Sequence, residues 1–215
     1  MKDPLLLPAL PDTPVAVSAV AYVRSCESEP TANHSIRSYV FAALLAEHEG
    51  LKPGADFDPD LLFHACVLHD LGTSSAAPGA ERFEVEGADM AARFLTGHGY
   101  DAQAVDLVWE AIALHATPGI AERRGVLAYL TRRGIGVDFG IGAEFMTDAQ
   151  GAAVHHEHPR LDMVTALVDE IVRHAARSPQ AGARYTLGGE FLRERAEPGA
   201  TTFLERVAST SRWGA

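Results

Sequence analysis

Apolar residues in this chain recur every three or four positions, segment after segment, and nowhere sustain an alternation of period two. Such a pattern supplies helices with one apolar face and leaves no material for a sheet. Val15, Ala19, Tyr22, Val23 and Cys26 mark a first amphipathic helix over about 14–29, with Pro30 after its acidic end. Thr31 or Asn33 can cap a second, in which Ile36, Val40, Leu44 and Leu45 repeat as far as Gly50, so that His34 falls in its first turn. Asp58-Pro59 opens a third through Leu61, Leu62, Ala65, Val67 and Leu68, with His69 and Asp70 in its last turn and Gly72 at its end. Phe83, Ala88, Ala91, Phe94 and Leu95 mark a fourth, and Asp101 caps a fifth running through Val105, Val108, Ala111 and Ile112 to His115. Thr117-Pro118-Gly119 breaks that helix and a helical stretch resumes over 121–131. The glycine-spaced GIGVDFGIG is then expected to turn tightly around Asp138. A long helix over about 161–176 and weaker ones at 188–195 and 200–208 complete an all-α bundle.

With 215 residues and 47% hydrophobic content, the chain can bury one substantial core but not two, so residues 1–215 are expected to form a single domain. No apolar run reaches the length of a membrane span, and the N-terminus has neither a basic n-region nor a small-residue cleavage site. A cytoplasmic chain without a membrane partner follows. A formal charge of −11 and a lysine content limited to Lys2 and Lys52 argue against nucleic acid, which is gripped by clustered cations. Cys26 and Cys66 sit in apolar helical contexts and read as reduced core residues.

The pair His69-Asp70 places two polar groups at the end of an otherwise apolar helix, where packing alone gives no reason for them. Taken alone, it also fits a core histidine followed by a helix-end carboxylate. His34 upstream and Asp138 downstream, each in a largely apolar segment, change the reading. Two imidazoles and two carboxylates suit a hard or borderline divalent cation.

The order His, then His-Asp, then a distant Asp resembles the HD-domain superfamily of metal-dependent hydrolases. The resemblance is closest to its cyanamide hydratase-like branch, through Asn33-His34-Ser35 with Arg37 and Tyr39, HDLGT at 69–73 and RFEVEGA at 82–88. It continues through ALHATPGIA at 113–121, VDFG at 137–140 and HPR at 158–160. The resemblance implies an HD-domain helical bundle whose metal-binding core spans about 31–179, with the terminal helices packed on it. It implies one divalent metal held by His34, His69, Asp70 and Asp138, with zinc favoured and iron(II) or manganese as the other candidates. Glu84, His115 and Asp70 are its catalytic candidates, and Asn33, Arg37 and Thr117 its candidates for substrate contact or for tuning the ligands. In many members a histidine that helps hold a second metal stands three residues before the glycine of the 82–88 block; here the position is Glu84, which favours a single metal.

The activity so implied is hydration of a nitrile such as cyanamide to urea by metal-bound hydroxide, with a small molecule as the only partner besides, at most, a second copy of the chain. Three alternatives stand beside it: a phosphohydrolase acting on a nucleotide or small phosphate ester, a di-iron oxygenase, and a non-catalytic module that binds a small molecule. Thin cationic equipment counts against the first and Glu84 against the second. His155, His156 and His158 read as a solvated loop, and His48, His64, His98 and His174 receive no role.

Overall fold

Helix starts in this chain are set by side chains that accept hydrogen bonds from otherwise unpaired N–H groups. The computed structural model describes residues 7–214; the first six, part of the stretch read as carrying no export signal, lie outside the described residues. Thr13 caps α1 (Pro14–Cys26) by accepting from the Ala16 N–H, and Ser28 precedes α2 (Glu29–His48). Asp58 caps α3 (Pro59–Val67), which leads through a short turn to a 3-10 turn, Leu71–Thr73. After α4 (Phe83–Gly97), Asp101 caps α5 (Ala102–Leu114), and α6 (Val126–Asp138) follows a second 3-10 turn at Ala121–Arg123. A capping box of Thr147 and Gln150 starts α7 (Asp148–Glu157); α8 (Met163–Ala175), α9 (Leu187–Glu194) and α10 (Phe203–Ser209) complete the bundle. Among the described residues the fold is all-α, ten helices with no strand.

The most extensive contact in the bundle is between α2 and α6, and α3, α5, α7 and α8 also pack near them. Every residue of α2 from Thr31 to Ala42 is buried. A helix buried all round is normally apolar all round; this one carries Asn33, His34 and Arg37, whose polar atoms must find partners inside the protein. The approach of α6 depends on Gly134: a Cβ there would collide with the Ser38 carbonyl oxygen and lie 2.7 Å from the Ala42 Cβ. Two apolar clusters result, a large one around α2, α3, α4 and α5 and a smaller one where Ile135 and Phe139 meet α8 and α9.

Several local expectations are corrected. Pro30 opens α2 instead of following α1, so His34 stands in the second turn, with Thr31 and Asn33 inside the helix. His69 and Asp70 lie beyond the end of α3, in the turn before Leu71. The glycines at 134 and 136 do not break the chain: α6 runs through them to Asp138, because Gly134 serves helix–helix contact and not a turn. His155 and His156 belong to α7 instead of a loop. Both cysteines are free, Cys66 in the core and Cys26 only half-buried. No helix among the described residues is long and apolar enough to cross a membrane.

Candidate metal centre

The polar residues of α2 find their partners on α6 and in the segment that follows α7. His34 is fully buried and its Nδ1 donates to Asp138 Oδ2 at 2.7 Å. A ring that donates through Nδ1 and stays neutral presents a lone pair at Nε2. His69 is set in the same way, its Nδ1 donating to the Cys66 carbonyl at 2.7 Å. The two Nε2 atoms face one carboxylate oxygen: Asp70 Oδ2 is 3.0 Å from His69 Nε2 and 3.8 Å from His34 Nε2. Three electron-rich atoms therefore converge. Burial opposes the charge on Asp70, but His69, followed by His34 and His115, outweighs it and holds the carboxyl at about 2.

His34 Nε2 and Asp70 Oδ2 are buried without any hydrogen-bond partner. Unpaired buried acceptors are costly, and here they point at one another, an arrangement that a cation between them relieves. One ligand atom each from His34, His69 and Asp70 lies within 4.8 Å of the others, and among the described residues this is the group that could hold a metal ion.

Asp138, expected as a fourth ligand, is not brought into this group. Its carboxylate accepts from Arg37 Nε at 3.0 and 3.1 Å, from Arg37 Nη2 at 2.7 Å, from Arg160 Nη1 at 3.1 Å and from His34. Burial would raise its carboxyl, but the Arg37 guanidinium, the His155 ring 3.6 Å away and the hydrogen bond of His34 hold it well below the usual carboxylate range. Arg37, also fully buried, uses Nη1 on the carbonyls of His158 and Pro159. Asp138 thus orients the His34 ring from behind, an arrangement common around metal-bound histidines.

The remaining expected residues divide. His115, at the end of α5, donates through Nδ1 to the Ile112 carbonyl, and its ring centre lies 4.9 Å from that of His69. Burial pushes its pKa down to about 3. Glu84 is buried in the first turn of α4, but its carboxylate accepts from Arg82 and does not line the cavity described below. Asn33 Nδ2 donates to the Pro159 carbonyl instead of serving His34. Thr117 Oγ1 donates to the Leu114 carbonyl, a turn element at the end of α5.

Above the metal group opens a cavity of about 240 Å³. His34, His69, Asp70 and His115 are its polar residues at one end, and Phe83, Ile135, Phe139, Leu167, Ile171 and Phe191 form most of its wall. Pro118, Glu122 and the C-terminal helices also contribute; the loop at 73–82 does not. Arg132 is tied to Glu122 and to the His115 carbonyl, whereas Arg133 Nε has no partner. Sequence reasoning missed Arg133, and also Arg160 and His155, which back Asp138. A readable signal for His155 was present: Thr147 and Gln150 form a capping box that announces α7.

A family model for the HD domain matches residues 31–175, more than half of the chain. The chain belongs to the HD-domain family. HD domains bind divalent metal ions and are typically hydrolases, and in this HD domain His34, His69 and Asp70 are the residues placed to hold a metal. No curated protein matches the chain.

Proposed function

We propose that this HD domain hydrolyses or hydrates a small molecule, with nitriles of the cyanamide type as the first substrates to test. The observation that carries the reading is the pair of orphaned acceptors, His34 Nε2 and Asp70 Oδ2, at one end of a cavity whose wall is otherwise mostly aliphatic and aromatic. A divalent metal bound there would supply Lewis acidity and bring the pKa of water toward neutrality.

The chain's own residues supply the rest. Asp138 and the Cys66 carbonyl fix the ring orientations of His34 and His69, so both Nε2 atoms are aimed before any ligand arrives. Asp70 provides the negative charge. His115, its Nδ1–H spent on Ile112, offers Nε2 as a hydrogen-bond acceptor that would orient the attacking water. The wall residues exclude bulk water from the substrate. Glu84, engaged by Arg82 away from the cavity, has no part in this scheme.

A phosphate ester is the second reading, and Arg133 favours it: an unpartnered guanidinium nitrogen beside the cavity suits an anionic substituent. Elemental analysis of the purified protein, paired with assays on cyanamide, a small apolar nitrile and p-nitrophenyl phosphate before and after chelation, separates the two. About one metal per chain with chelator-sensitive amide or urea formation is expected. Turnover of the phosphate ester alone would replace the first reading by the second, and a metal-free, inactive protein would remove both.

A further inference from the structure

A separate pocket of about 310 Å³ shares no lining residue with the cavity over the metal group. It is formed by Thr73, Ser74 and Ser75, after the His69–Asp70 turn, by Arg173 and His174 at the end of α8, and by Arg177 just beyond it. In a chain of net charge −11, Arg173 and Arg177 form no ion pair among the described residues, and Arg177 spends Nη1 on the Ala77 carbonyl. The neighbouring carboxylates are occupied elsewhere. Glu86, 3.7 Å from His174 Nε2, accepts the N–H groups of Gly79, Ala80 and Glu81. Glu170, which senses the charge of Arg173, accepts from Thr31.

Two deeply buried side chains of this pocket carry polar atoms without a partner. Ser74 is 4% exposed and its Oγ is orphaned; His174 is 2% exposed and its Nδ1 is orphaned. His174 Nε2 sits 2.9 Å from the Glu81 carbonyl, which can only accept, so the ring hydrogen is on Nε2 and a neutral ring bears a lone pair on Nδ1. The pocket therefore asks for a ligand that is anionic toward the arginines, accepts from Ser74, and donates one hydrogen bond to His174. Hydrogen phosphate meets all three requirements. Sulfate lacks the proton, and a phosphomonoester at pH 7.5 has largely lost it.

We propose that this pocket is a binding site for free inorganic phosphate. It lies against the turn that aims a metal ligand, since Thr73 holds the Asp70 carbonyl through both its N–H and its hydroxyl. The test titrates inorganic phosphate, sulfate and glycerol phosphate into the metal-loaded protein at pH 7.5, followed by calorimetry and by the amide NMR signals of Ser74 and Ser75. Saturable phosphate binding that shifts both amides, and is about tenfold or more tighter than sulfate or glycerol phosphate, is expected. Arg173→Gln, an exposed change, should weaken it about tenfold. His174→Gln keeps a donor for the Glu81 carbonyl but removes the acceptor, and should erase the preference for phosphate over sulfate. The proposal fails if phosphate does not saturate, if Arg173→Gln leaves its affinity unchanged, as phosphate bound at the metal would, or if wild-type protein takes sulfate equally well.

Discussion

Asp138, at the end of α6, accepts hydrogen bonds from Arg37, Arg160 and His34, whereas Asp70, in the turn after α3, keeps Oδ2 without a partner. Both carboxylates are buried and both are held ionised. The difference lies in what balances their charge. Around Asp138 the chain provides its own cations and donors, which makes that aspartate part of the scaffold. Around Asp70 it provides mainly lone pairs, which fits a position left for an external cation.

Asp70→Asn is the strongest test of this contrast. Metal content and turnover should fall to background, while the metal-free fold loses some stability at neutral pH, because the ionised form is the one that its surroundings favour. Retention of metal would break the comparison at once. Next in size is Arg37→Ala, which strips Asp138 of its main buried partner and should cost about 3–5 kcal/mol in urea unfolding. A loss under about 1 kcal/mol would mean that Arg160 alone suffices.

Asp138→Asn sharpens the comparison further. Metal affinity should drop about 10–100-fold, with binding recovered at excess metal, as expected when the group orienting a ligand histidine is weakened. Abolition as complete as in Asp70→Asn would show that Asp138 contacts the metal directly. The smallest effect concerns Glu27, a third buried carboxylate, with Oε2 accepting from Ser35 and Oε1 unpaired. Burial, and then the charge of Asp70, raise its carboxyl well above its ordinary value of 4.5. A raised folded-state pKa contributes stability that is complete below the unfolded value and is lost as pH rises through the folded one. Glu27→Gln should therefore flatten the alkaline side of the stability profile and raise stability at pH 8; an unchanged slope between pH 5 and 8 would argue against a neutral Glu27.

Much of this was legible in the sequence. Capping side chains such as Asp58 and Asp101 and the three-to-four spacing located the helices, and the His69-Asp70 pair with His34 pointed to the metal group. What misled was glycine. Gly134 and Gly136 look like turn residues, yet Gly134 is required where α6 meets the Ser38 carbonyl, a contact known only once both helices are placed. Glycine serves loops and close contacts alike, and local sequence does not distinguish them. The contacts of Asp138 were hidden for a related reason: Arg160 and His155 reach it from distant segments. Glu84 was singled out by its position in a motif; its carboxylate accepts from the adjacent Arg82.

The hydrogen bond from His34 to Asp138 spans 104 residues. Helix α2 can wind within microseconds of leaving the ribosome, but the residue that turns its histidine ring is made later. At ordinary rates of synthesis the intervening chain takes about 5 to 20 s to appear. Throughout that interval His34 has no Asp138 to set its Nδ1, so the ring acquires its aim only after α6 has been made and has docked. Metal loading thus belongs to the completed bundle, not to the growing chain.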